Sequence, residues 1–212
     1  MREVYNKQLR ELRSELVLMG AMCEEAISCA IQGLVENNDE LRKKTFTLEK
    51  EISLKEREIE QVCFRLLIRE QPVAGDFRFI TASQKMANSM YRIGDQAADI
   101  ALIFEEIGIE QRAFVYEYIG KMVTTCSKML LGAVDSFAQS DVVKAKEVIA
   151  LDDMVDNYFF ETKKELVRQI SADSDNGEVW LDILMIAKHL ERVGDHAKNI
   201  AKLVIYSVWQ GK

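Results

Sequence analysis

Glu191 and Asp195 stand one helical turn apart in LERVGDHAKNIAK, residues 190 to 202, and Asp152 and Asp156 have the same spacing. Carboxylates four residues apart share one face of a helix. One such pair on an exposed helix is unfavourable by only about 0.2–0.5 kcal/mol. Two pairs brought together repel much more, and each acid pushes its neighbours toward protonation unless a cation neutralises the set. Carboxylate oxygens without thiolates suit hard or borderline cations such as Mg, Mn, Fe and Zn. The chemistry these residues point to is cation binding.

The acidic motif occurs twice. Residues 90 to 102 read MYRIGDQAADIAL. Arg92, Gly94, Asp95, Ala97, Ile100 and Ala101 recur as Arg192, Gly194, Asp195, Ala197, Ile200 and Ala201, at an offset of one hundred residues. Met19, Cys23, Ala30, Leu48 and Ile52 fall on Met122, Cys126, Ala133, Leu151 and Val155 at an offset of 103. The chain therefore carries an internal duplication, and the change of offset predicts a loop three residues longer in the first half.

The elements that must position the acids are helices. A single proline among 212 residues favours long helices. Hydrophobic periodicity predicts helices at 3–37, 40–70, 76–107, 112–140, 142–171 and 177–208. Pro72 is expected to end the second and Asp76 to cap the third. Gly108 lies near the junction of the halves. The expected fold is all-α: two tandem antiparallel three-helix bundles, residues 1–108 and 109–212.

The last helix has an apolar seam through Trp180, Ile183, Ala187, Leu190, Gly194, Ala197, Ala201, Val204 and Val208. The fifth has one through Val148, Leu151, Val155, Tyr158 and Thr162. All four acids follow a seam residue by one position, so they lie at a seam edge. In an antiparallel pair, rows displaced the same way from both seams emerge on one side, which lets Asp152, Asp156, Glu191 and Asp195 converge. Gly94 and Gly194 are expected where helices approach closely, since a helical glycine costs roughly 1 kcal/mol against alanine. Met19, Met22, Met122, Met129 and Met185 read as core. His189 and His196 read as structural or surface residues, and Arg92 and Arg192 as local ion-pair partners or site residues.

Composition narrows the function classes. A net charge of −7 argues against broad binding to nucleic acid. No apolar run approaches the length needed to cross a bilayer, and MREVYNKQLRELRSE lacks an apolar signal core. Cys23, Cys29, Cys63 and Cys126 have neither metal-knuckle nor disulfide-framework spacing, so they read as buried thiols in a cytoplasmic protein. No nucleophile–base spacing, phosphate-binding glycine loop, Glu-x-x-His motif or cationic clamp for phosphate is evident.

LERVGDHAKNIA resembles the signature of the PhoU family, and REQPVAGDFRFI at 69–80 resembles that family's turn between second and third helices. The resemblance implies an all-helical, cytoplasmic regulator, commonly a homodimer, that restrains the phosphate-starvation response. It implies contacts with the ATPase subunit of a phosphate transporter and with a sensor histidine kinase. It also implies a multinuclear iron or zinc cluster. Its ligands would be Asp152, Asp156, Glu191 and Asp195 in the second half, with Asn199 a turn beyond. In the first half Glu49 and Asp95 match. Ser53 and Tyr91 replace acids, reducing that site, and Asp99, in place of an asparagine, is a further candidate ligand there. The implied protein is not an enzyme. The residues alone also admit a metal-dependent carboxylate enzyme or a metal storage or sensing protein.

Overall fold

The computed structural model describes residues 2–103, 113–172 and 174–208. Among them there are six long helices and no strand. These are α1 (Arg2–Glu36), α2 (Asp39–Glu70), α3 (Ala74–Leu102), α4 (Gly120–Gln139), α5 (Val142–Ala172) and α6 (Gly177–Val208). A π-helical turn, Val115–Ile119, leads into α4 where an ordinary α-helix was expected. Gly108, residues 104–107 and the boundary between 108 and 109 lie outside the described residues.

α1, α2 and α3 pack on one another, as do α4, α5 and α6. Across the halves α3 packs on α6, the most extensive helix pairing among the described residues, and α1 packs on α4. The buried apolar residues form one continuous core through both bundles.

The duplication is visible atom by atom. Asn37 adopts a left-handed φ of 54°, Asn38 N–H donates to Gly33 O at 2.9 Å, and Asn38 caps α2 by accepting from Glu40 N and Leu41 N. The second half repeats this at the offset of 103. There Ser140 has φ 56°, Asp141 N–H donates to Ser136 O at 2.8 Å, and Asp141 accepts from Val143 N and Lys144 N. Asn and Asp favour such positions because a short polar side chain replaces the missing helical acceptor. Deeper in each bundle, Cys23 Sγ donates to Met90 O and Cys126 Sγ to Leu190 O, both at 3.2 Å. All four cysteines are buried and free, as read from their spacing.

Several local expectations are corrected. The three extra residues of the first half are wound into helix: α3 begins 17 positions before Tyr91, whereas α6 begins 14 before Glu191, and only residues 71–73 separate α2 from α3. Asp76 lies inside the first turn of α3; Val73 occupies the cap position and supplies no side-chain bond. Gln71 ends α2 in the left-handed region, as Pro72 requires it to leave the helix. α1 holds one apolar window with mean hydropathy 1.3, long enough to cross a membrane by length and composition; half of it is buried in the bundle. Met185 is 47% exposed, while Met19, Met122 and Met129 are fully buried.

Candidate functional site

The seam of α6 is where its spacing puts it, apart from Val208, which is half-buried. Ile186, His189, Val193 and Ile200 are buried too, because α6 packs on α3 as well as on α4 and α5. The two seam glycines mark close approach. A Cβ on Gly94 would lie 3.2 Å from Ile52 Cδ1, and one on Gly194 would lie 3.3 Å from Val155 Cγ1. Ile52 and Val155 are themselves duplication partners.

The α5 seam is rotated from its expected line. Ala145, Val148, Asp152, Val155, Thr162 and Leu166 are buried, while Leu151 and Tyr158 are half-buried. Asp152 is therefore 3% exposed rather than at an edge. A carboxylate buried this far needs a partner. Lys198, on the α6 face opposite, donates a hydrogen bond to Asp152 Oδ2.

Asp156 and Asp195 lie within electrostatic range of the same ammonium. Burial first, and then the negative charges of Asp152 and Asp195, raise the pKa of Asp156, with Lys198 opposing them. The bond to Asp152 and the charges of Asp195 and Asp156 raise that of Lys198. Asp152, Asp156 and Asp195 thus converge on one cation. Glu191 turns aside and accepts from Lys188 Nζ at 2.5 Å, one turn back on its own helix.

The first-half residues are arranged differently. Tyr91 hydrogen-bonds Asp95, whose charge is the main cause of the raised tyrosine pKa; Glu49 adds to it. Arg92 pairs with Asp95 at 3.2 Å and stands over the Tyr91 ring. Asp99 does not join Glu49 and Asp95 around this phenol. It faces His189 across the α3–α6 contact, at 3.6 Å, and His189 Nδ1 lies 3.0 Å from Gln96 Oε1. Burial holds the His189 pKa below its usual value. At the duplication-related position Asn199 donates to Ser89 Oγ at 2.9 Å. Position 99 and position 199 are therefore both spent on packing α3 against α6.

Oxygen donors of this kind fit a hard or borderline cation. Among the described residues, however, no three His, Cys, Asp or Glu side chains are disposed to hold a metal ion. The second-half set accommodates a cation, and Lys198 supplies it. Sequence reasoning missed Lys198, although its i+3 spacing from Asp195 put it on the acidic edge.

Both halves match the family model for the PhoU domain, at residues 16–104 and 119–204. The chain is 35% identical to the phosphate-specific transport system accessory protein PhoU homolog of Pseudomonas aeruginosa, over 96% of this chain and 85% of the relative. It is 27% identical to the phosphate-specific transport system accessory protein PhoU of Escherichia coli, with 96% of this chain and 85% of the relative covered. The crystal structure of PhoU from Pseudomonas aeruginosa superposes with a TM-score of 0.89 at 32% identity, covering 96% of this chain and 98% of that one. The phosphate transport system regulatory protein PhoU from Streptococcus pneumoniae gives 0.87 at 25% identity, with 96% of each chain covered. A duplicated three-helix plan with an acidic motif in each half defines a class of tandem helical-bundle proteins. The chain belongs to the PhoU family.

Proposed function

We propose that this protein is a non-enzymatic accessory of phosphate transport that restrains uptake and the phosphate-starvation response when phosphate is plentiful. The observation that supports this most is the match of both halves to the PhoU domain, joined with curated relatives named as phosphate-specific transport accessories along 96% of the chain. The protein works in the cytoplasm, as a homodimer, through contacts with the transporter ATPase subunit and a sensor histidine kinase. A regulator of this kind shifts a partner by binding its conformational states unequally. It needs surfaces rather than reacting groups. The net charge of −7 favours protein partners over direct nucleic-acid contact.

A metal centre is part of the proposal. Asp152, Asp156, Glu191 and Asp195 would hold it, with Lys198 and Lys188 withdrawn. Bound there, an iron or zinc ion would neutralise the acids and tie α5 to α6. Glu49 and Asp95 would be the weaker set, and Asp99 would join them only by leaving His189. A carboxylate-enzyme reading needs an open cavity at the acids. The four cavities described, of about 360 to 1000 Å³, are lined by other residues.

Deleting the gene tests the regulatory reading. Expression of phosphate-uptake genes and the rate of uptake are expected to rise in phosphate-rich medium. Unchanged expression and uptake would overturn it.

A further inference from the structure

A cavity of about 360 Å³ opens where α1, α3 and the last residues of α6 meet the end of α4. Arg10, Arg13 and Arg78 line it, with Asp76, Ser140 and Ser207. Three guanidinium groups against one carboxylate make this a positive pocket in a chain of net charge −7. The pocket has no local signature, because Arg78 is far along the chain from Arg10 and Arg13.

The arginines are built in to different degrees. Arg13 Nη1 donates to Phe137 O at 2.9 Å, Ala138 O at 2.8 Å and Ser140 Oγ at 3.1 Å. Its guanidinium carbon lies 5.1 Å from the Phe79 ring centroid and 5.3 Å from that of Phe137, rings that stack on each other. These contacts fix the plane of the group. All three of its bonds leave from one nitrogen. Arg10 and Arg78 make no ion pair among the described residues. Arg78 Nε is buried and has no acceptor among the described residues. A buried cationic donor without an acceptor is costly, and it points to a missing anion.

The wall beside Arg78 holds the start of a helix and the Asp76 carboxylate. α3 begins there, and no side chain caps its first turn. A Cβ on Gly75 would meet no heavy atom within 4 Å. Asp76 N–H is taken by Val73 O at 3.2 Å, and the other amides of this helix start carry partial positive charge that the Asp76 carboxylate offsets in part. The guanidinium fork matches the oxygens of a phosphate.

We infer that Arg10, Arg13 and Arg78 bind a small tetrahedral oxyanion of the phosphate class over the open first turn of α3. The chemistry stands on the arginines. That the ion reports phosphate supply rests on the regulatory reading above. The three arginines come from the first half, and Ser140 and Ser207 of the second half complete the lining.

The test is calorimetric titration of the full chain with inorganic phosphate, sulfate and glycerol phosphate at matched ionic strength. A saturable phosphate isotherm is expected, weakened at least about tenfold in both Arg10→Gln and Arg78→Gln. Arg10 is exposed, so its variant is expected to keep wild-type helix content and report on the site alone. Equal binding of sulfate supports an oxyanion pocket that reads shape. Tighter binding of glycerol phosphate supports the same pocket with a phosphate monoester as its source. No saturable binding of any of the three, or binding unchanged in both variants, would overturn the inference. Neither result depends on the gene-deletion phenotype.

Discussion

Lys198 of α6 donates its hydrogen bond to Asp152 of α5, so a buried acid on one helix of the second bundle is neutralised from the next. Asp152 is 3% exposed, and removing the ammonium leaves its charge without compensation. Lys198→Ala is expected to destabilise the protein by about 1–3 kcal/mol. Lys188→Ala, which breaks a partly exposed pair within one helix, is expected to cost about 0–1 kcal/mol. Urea denaturation of both variants compares the two. Equal losses would mean that Asp152 does not depend on Lys198.

The same pair governs cation binding. A divalent ion entering among Asp152, Asp156 and Asp195 competes with an ammonium that is already there. Lys198→Ala is therefore expected to bind zinc or iron more tightly than the wild type, and to recover stability when the metal is added. Thermal melts with metal and with chelator measure this. Identical metal response in the two proteins would remove Lys198 from the account.

The halves are expected to differ in metal content. Replacing Glu191 by Gln and Asp195 by Asn should remove most bound metal at unchanged helix content. Elemental analysis of protein purified without affinity-tag metals gives the answer. Metal that survives this change and disappears on altering Asp95 and Asp99 would reverse the assignment.

Asp156 carries a pH signature. Its pKa is raised above the ordinary 3.8, first by burial and then by Asp152 and Asp195. For an acid with a raised folded-state pKa, the stabilising contribution is fully present below 3.8 and lost as pH rises through the folded value. Asp156→Asn, measured with chelator present, should raise the melting temperature at pH 7. The advantage should vanish below the carboxylate range. A variant no more stable than wild type at pH 7 would mean that the repulsion is relieved elsewhere.

Gly194 tests the close approach of α6 to α5. Gly194→Leu overpacks the contact with Val155 and is expected to cost about 1–3 kcal/mol. Adding Val155→Ala should return part of that loss, since the two positions share one contact. At Gly120 a Cβ would meet nothing within 4 Å, so Gly120→Ala should leave stability unchanged or raise it. Thermal melts that rank Gly120→Ala below Gly194→Leu would contradict the packing argument.

What could be read from the sequence followed from period and duplication. The seam through Ile183, Ala187, Leu190 and Gly194 needs only the helical repeat. The glycines at 94 and 194 announced tight packing because their cost recurs at equivalent positions. The contact of Asp99 with His189 was not legible, because His189 comes from the other half and the packing of α3 on α6 has no local signal. Asp152 was placed at a seam edge because Leu151 is the more apolar residue. The structure turns α5 so that the acid meets Lys198. The relevant clue was a cation three residues from Asp195, a charge pattern rather than a hydrophobic one. The helix joints at Asn37–Asn38 and Ser140–Asp141 were legible in residue type, yet their equivalence emerges only when the offset of 103 is carried through the loops.

Binding of the purified protein to a partner tests the central claim most directly. The measurement is its affinity for the transporter ATPase subunit and for the cytoplasmic part of the sensor kinase, with and without phosphate. The account predicts saturable binding to at least one of them, with a dissociation constant that changes with phosphate. Absence of binding to both, at concentrations where the protein is folded, would contradict it.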